Sequence, residues 1–285
     1  MFGVSPAYFF SRYTTDFTVA QYAEGLDQLK SMGFGGFQLE VFKAERIGEW
    51  LDGADALAAR AAALGMTVSQ FVAHFLLYAT KDEVALLSDC GYEDMKHVVE
   101  IVSRFPGCGV VTLPLSPFAF PAGASFSLDD WKRLWEGLCA KLLRMAGIVE
   151  SAGLKLALEI VPGCLLGGTE GLLRFSRETG NASIGYNFDT GHAWSSKENI
   201  ATLPAKLAGR IYGTHLKDNF GFENLALPPG EGNIPWESVV DGLLRNGYTG
   251  SFDLEIACAR PEDVEAAYAK GKTRIQSALS ASIYR

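Results

Sequence analysis

Four side chains that strands ordinarily avoid stand near the ends of four successive apolar runs. They are Glu159 in LKLALEIV, Asp189 in SIGYNFD, His215 in RIYGTHL and Glu255 in GSFDLEIA. Three carboxylates and one imidazole brought to a common depth are too costly to bury uncompensated. A cation at their centre is the simplest compensation. The set is rich in oxygen and holds a single nitrogen, which suits Mn2+ first, with Mg2+, Co2+ or Zn2+ as alternatives. No thiolate belongs to it, which argues against a structural zinc site. His192 follows Asp189 across a Thr-Gly turn and is placed to face whatever the cation holds.

A common depth requires a scaffold that aligns strand ends. Eight short apolar runs recur: GVSPAYFF, FGGFQLEVF, MTVSQFVAHFL, CGVVTLPL and the four that carry the quartet. Their Val, Ile, Leu, Phe and Tyr content is that of strands buried on both faces of a parallel sheet. Helical patterns lie between them. TVAQYAEGLDQLKSMG puts Val19, Tyr22, Leu26 and Leu29 on one face and ends at Gly33. The segment from Ser127, a predicted N-cap, carries Trp131, Leu134, Leu138, Leu142 and Met145 at helical spacing and stops at Gly153. Glycine-containing turns lead directly into the next strand in SMGFGGF, ALGMTV, SAGLKL and NGYTGSF. Eight strand–helix units over residues 1–285 predict one α/β domain, a (β/α)8 TIM barrel. The length suits such a barrel, and a doubly wound open sheet would need fewer units and a GxGxxG after its first strand.

An active site in this fold forms at the C-terminal ends of the strands. Other polar or aromatic residues near those ends are candidates for substrate contact. Tyr8, with Phe9, closes the first run as a wall, and Glu40 and His74 end the second and third as site-facing or interior groups. Trp194 is a further wall. Lys217 either neutralises developing charge or pairs with Asp218 at the surface, the pairing being the favoured reading. His97 is read as an ordinary surface residue of a helix, and Glu231 as solvated.

The net charge of −8 repels phosphate backbones, so nucleic acid is not an expected partner. Five cysteines without a CxxC pair read as reduced thiols of a cytoplasmic protein. No basic region precedes the first apolar residues, so a signal peptide is not expected, and no apolar run is long enough to span a bilayer. The aromatic segment SPFAFPAGASF after the fourth strand reads as a lid or as the interface of a homo-oligomer.

The chain resembles the xylose-isomerase-like barrels, in particular the sugar phosphate isomerase/epimerase group. The likeness rests on LEIVPG with Glu159, NFDTGHAW with Asp189 and His192, THLKDN with His215, PPGEGNIPW, and DLEIA with Glu255, and the quartet is separated by 30, 26 and 40 residues. The resemblance implies that Glu159, Asp189, His215 and Glu255 bind one divalent metal. It also implies that Glu159 and Glu255 are acid/base groups on opposite sides of a substrate carbon, and that His192 contacts substrate oxygen. A Lewis acid on the carbonyl and a carboxylate beside the carbon together allow proton removal through an enediolate. The substrate implied is a small carbohydrate or related polyol, and the activity an isomerase or epimerase. The chain departs from the ketose 3-epimerase pattern in KDNFGFEN and VPGCLLGG, where that pattern carries an Arg and a Glu, which argues against simple 3-epimerisation. The alternatives are a lyase on a keto-sugar or keto-cyclitol using the same site, and a non-catalytic sugar-binding barrel subunit. The endonuclease branch uses many His ligands, and this chain has only four His and an acidic balance.

Overall fold

Strand and helix alternate along the whole of the computed structural model, which describes residues 1–284. The order begins β1 (Phe2–Val4), α1 (Ala7–Tyr13), α2 (Val19–Ser31), β2 (Gly36–Glu40), α3 (Ile47–Ala63) and β3 (Thr67–Val72). It continues with α4 (Glu83–Leu86), α5 (Tyr92–Val102), β4 (Val110–Leu115), α6 (Leu128–Ser151), β5 (Lys155–Ile160), α7 (Thr169–Thr179) and β6 (Gly185–Asp189). Last come α8 (Thr190–Ser195), α9 (Leu203–Lys206), β7 (Ile211–His215), α10 (Trp236–Arg245), β8 (Phe252–Leu254) and α11 (Val264–Ala281).

Strands β2 to β7 pair in sequence order, all parallel, and β1 pairs with β8. Backbone bonds join the two arcs. Gly35 N–H donates to Phe2 O (3.1 Å), Leu216 N–H to Asp253 O (2.8 Å) and Glu255 N–H to Leu216 O (3.0 Å). The sheet therefore closes on itself as the expected TIM barrel, and closure removes exposed strand edges. Every residue of β2 and β6 is buried, as both faces of a barrel strand require.

The helices begin where the sequence offers caps. Thr18 with Gln21, and Ser127 with Asp130, form reciprocal capping boxes at α2 and α6. Gly33 and Gly153 follow the ends of these two helices with φ of +75°, the left-handed conformation that suits Gly. His97 lies on the half-exposed side of α5, and Glu231 pairs with Lys270 at the surface. Phe118, Phe120 and Phe126 pack together in the loop after β4, with Phe120 and Phe126 exposed. Among the described residues no helix is long and apolar enough to cross a membrane.

Two apolar runs are shorter as strands than their composition suggests. The first stops at Val4, because Pro6 has the helical φ of −58° and α1 starts behind it. The third stops at Val72 and continues as a 3-10 helix over His74–Thr80.

Inside the barrel, alternation places residues two apart on the same face. The residue two before each member of the quartet is Ala157, Asn187, Gly213 or Asp253. At Gly213 a Cβ would lie 2.4 Å from Gln70 Oε1 and 2.6 Å from Asn187 Oδ1, two groups that are joined through the Gln70 Nε2–Asn187 Oδ1 bond (2.9 Å). Gly213→Ala is therefore expected to destabilise the protein by about 1–3 kcal/mol through overpacking. The shift of the urea unfolding midpoint measures this; an unchanged midpoint would show that the polar floor can move aside.

Candidate metal centre and active site

Glu159 lies one residue from the end of β5, Asp189 and His215 end β6 and β7, and Glu255 follows β8 directly. One ligand atom from each of the four lies within 4.8 Å of all the others. Glu159, Asp189 and His215 are buried, and the Glu255 side chain is 16% exposed, so the cluster is reached from the mouth through Glu255.

Asp189 divides its two oxygens between different tasks. Oδ1 accepts from His192 N–H at 2.7 Å and caps α8. Oδ2 is buried and accepts no aligned hydrogen bond. The cap brings His192 back over the cluster, with Nε2 3.2 Å from Glu159 Oε1 and Nδ1 2.9 Å from Asn224 Oδ1. His215 Nδ1 is also buried without a hydrogen bond, 3.3 Å from Glu159 Oε1 and 3.6 Å from Glu255 Oε2.

The structure corrects the reading of Lys217. It is not a surface residue paired with Asp218. Its residue is only 5% exposed, and Nζ lies 2.6 Å from Glu255 Oε2 and 2.7 Å from Asp189 Oδ2. Gly191 makes room for it. A Cβ there would stand 2.6 Å from Lys217 Cγ and 2.8 Å from Cε, so the glycine of the DTGH turn admits the lysine stem. Asp218 points elsewhere and accepts from Gly230 N–H (2.8 Å), Ile234 N–H (3.1 Å) and Trp236 Nε1 (2.8 Å). It thereby fastens the PPGEGNIPW loop to α10.

Electrostatics follow from this packing. Burial opposes ionisation of Glu159, but His215 and His192 outweigh it and hold its carboxyl well below the usual range. For Asp189, His192 and Lys217 do the same. Burial opposes charge on Lys217 too, yet Asp189 and Glu255 raise its pKa. Burial pushes Glu40 well above the usual carboxylate range, with Glu255 and Glu159 adding to the effect, so it holds its proton.

These observations test the fit of a metal. With Glu40 protonated, and once both imidazoles have lost the extra proton that the carboxylates favour in the metal-free protein, three carboxylates face one ammonium. The two negative charges left over equal the charge of a divalent cation. His215 Nδ1, buried without a hydrogen bond, belongs to the cluster, as does Asp189 Oδ2, which stands 2.7 Å from the Lys217 ammonium. The donor set fits a divalent cation and matches no structural zinc pattern.

The cluster floors a cavity of about 270 Å³. Glu40, His74, His192 and Lys217 also line it, and Phe10, Phe42, Leu77 and Pro117 supply apolar wall. His74 stacks on Phe42 at 4.5 Å between ring centroids, and burial lowers its pKa. Tyr8 lies outside this cavity. It is fully buried against Tyr268 and donates to Gln28 Oε1, because α1 turns it, like Phe9, toward the helical layer. Trp194 is outside the lining as well, with Nε1 donating to Asn233 Oδ1 at 2.7 Å. A second cavity of about 270 Å³ lies among Val110, Lys155, Tyr212 and Tyr248 at the opposite end of the barrel, with Lys155 as its one charged wall residue, so the chemistry belongs to the first.

Sequence reasoning missed Asn224, Gln38 and the part played by Gly191. A signal was present for Gln38: it sits two before Glu40 on an otherwise apolar strand.

Fold and site together define a closed parallel barrel with a carboxylate-rich divalent-metal site at the C-terminal ends of its strands. The chain belongs to the xylose isomerase-like TIM barrel family, which matches residues 26–278. It is 28% identical over 173 residues to the inosose dehydratase of Salmonella typhimurium, covering 54% of this chain and 56% of that protein. The chain spans about half the length of the curated relatives it matches. Its fold is similar to the structure of IolI protein with a zinc atom (TM-score 0.72, 17% identity, 98% of this chain and 96% of that one). It is also similar to L-ribulose 3-epimerase (TM-score 0.73, 19% identity, 100% and 99%).

Proposed function

We propose that the protein is a divalent-metal-dependent enzyme that removes a proton from carbon beside a carbonyl of a sugar or related polyol and returns it, as an isomerase or epimerase. The observation that carries this reading is the convergence of Glu159 and Glu255, from β5 and β8, on the cluster that holds Asp189 and His215. Two carboxylates approaching from separate strands offer a base and a proton-return group. The epimerase among the fold neighbours supports it.

A divalent cation held by the quartet, Mn2+ by preference, would supply Lewis acidity to a substrate carbonyl oxygen. The chain's own residues do the rest. Glu159, kept ionised by its imidazole neighbours, accepts the proton. Glu255, ionised at rest, takes up a proton from the Lys217 ammonium at 2.6 Å and returns it to the carbon from its own strand, and the proton on Glu159 passes to solvent to restore the pair. His192 faces substrate oxygen, held in orientation by Asn224. Glu40 Oε2, buried and without a partner, is free to bond a substrate hydroxyl. The wall of Phe10, Phe42 and Leu77 limits water. Five unpaired thiols support a reducing compartment, and we place the protein in the cytoplasm.

A second reading, a lyase, is favoured by the Lys217 ammonium beside Glu255, which can protonate a departing oxygen, and by the likeness to inosose dehydratase. Proton exchange in D2O separates the two. Mn2+-loaded protein is incubated with ketoses, keto-cyclitols and 3-keto glycosides and followed by NMR. Deuterium entering beside the carbonyl with the skeleton kept is the expected result. Loss of water or of an aglycone makes it a lyase. Metal bound with no exchange on any compound overturns both.

Metal binding should displace a proton. In the metal-free protein burial opposes charge on His215, but Glu255 and Glu159 push its pKa well above the ordinary imidazole value. The ring is therefore protonated at neutral pH, and Nδ1 can ligate only after its proton leaves. Below that raised pKa the affinity for Mn2+ is expected to rise about tenfold per pH unit, with roughly one proton released per ion. Calorimetry in buffers of different ionisation enthalpy counts the proton; none released would remove His215 from the ligand set.

A further inference from the structure

Beneath the quartet lies a buried polar chain that the proposed reaction does not use. Gln38 is fully buried on β2, and Asp253 on β8 is 1% exposed, although the two are 215 residues apart in sequence. Gln38 Nε2 donates to Asp253 Oδ2 at 2.8 Å and to Thr214 O at 3.3 Å. Gln38 Oε1 lies 2.8 Å from His215 Nε2. Asp253 is held in turn by Ser69 Oγ at 2.6 Å and by Ser251 Oγ.

We propose that Asp253 acts through Gln38 to fix the tautomer of His215, so that Nδ1 presents its lone pair to the cation. Donors and acceptors fix the orientation of the Gln38 amide. A carboxylate offers only acceptors, so the Gln38 amide must turn its NH2 toward Asp253. The reversed amide would set two acceptor oxygens face to face at 2.8 Å. With NH2 committed, only the carbonyl oxygen is left for His215. A carbonyl only accepts, so Nε2 must carry the ring proton. The proton is thereby kept off Nδ1 once the cation is in place, and Nδ1 is the ring atom that faces the carboxylates without a hydrogen bond. Three donors, from Ser251, Ser69 and Gln38, converge on the oxygens of Asp253, the arrangement an acceptor-only carboxylate calls for; burial still leaves its pKa raised on balance. Asp253 and Gln38 are positioning residues: neither is among the groups that line the substrate cavity. Partners behind a metal-bound His commonly set its orientation and basicity in this way.

The inference rests on the metal-centre reading, so wild-type protein is titrated with Mn2+ first; failure to bind would defeat that reading itself. Given binding, Asp253→Asn is expected to weaken Mn2+ affinity by about 10–100-fold, because the stronger of the two acceptors that hold the Gln38 NH2 is then lost and the Thr214 carbonyl, at 3.3 Å, holds it alone. Adding Gln38→Glu to Asp253→Asn should recover most of the loss, since a carboxylate at position 38 again offers only acceptors to His215. A purely packing role for Asp253 predicts no such rescue. Long-range 1H–15N spectra of Zn2+-loaded wild-type protein should show the His215 proton on Nε2, and this readout needs no variant to fold. The proposal is overturned by affinity within twofold for Asp253→Asn, by a double variant no better than the single one, or by a ring ligating through Nε2.

Discussion

Replacing Glu255 by Gln is expected to lower turnover by about 10²–10⁴-fold at saturating Mn2+, the range that general acid–base groups contribute. The substitution keeps shape and one ligand oxygen but removes the basic carboxylate. Glu159→Gln should cost a similar factor, because its imidazole neighbours outweigh burial and make that group a committed anion. The two variants differ in what remains. If each glutamate serves one side of the substrate carbon, either variant still exchanges a substrate proton with solvent through the surviving base, while epimerised product no longer forms. Metal content measured beside activity separates loss of base from loss of ligand. Turnover within tenfold of wild type, with metal bound, would remove Glu255 from the acid/base role.

The second large effect belongs to Lys217. Its ammonium is buried between Asp189 and Glu255, and Lys217→Met removes the charge that stands 2.7 and 2.6 Å from those two carboxylates. Breaking a buried ion pair from one side typically costs about 3–5 kcal/mol. The charge-linked part of that stability is present at neutral pH, because the folded pKa of Lys217 lies above its ordinary value and the contribution fades only as pH rises toward it. A divalent cation partly replaces the missing charge, so the loss in thermal midpoint should be clearly smaller with Mn2+ than without. Differential scanning calorimetry of the two forms reads this difference. An equal loss in both would mean that Lys217 is held by packing rather than by the charge balance of the centre.

The barrel and the quartet were legible in the chain because the signals for them are local. Eight β-rich apolar runs, helical spacing between them and glycines at the turns specify strand–helix repetition. A carboxylate or imidazole near the end of a run is visible for the same reason, and alternation along a strand says which side it faces. This is how Glu159, Asp189, His215 and Glu255 could be read together.

Other features depended on non-local placement. Tyr8 follows an apolar strand, but Pro6 starts a helix that turns the ring toward Tyr268 on α11. Lys217 beside Asp218 looks like a surface pair. Its burial depends on space left by Gly191 and on carboxylates arriving from β6 and β8. The Gln38–Asp253 bond exists because β1, which pairs with β8, also accepts from Gly35, the residue before β2, closing the ring around residues 215 apart. The sequence by itself determined the repeating units and which groups stand at their mouths, since periodicity and capping act over a few residues. Only the tertiary structure decided which charges cancel, which side chains find room and which nitrogen of His215 faces the carboxylates, because these depend on distances between strands that local rules do not set.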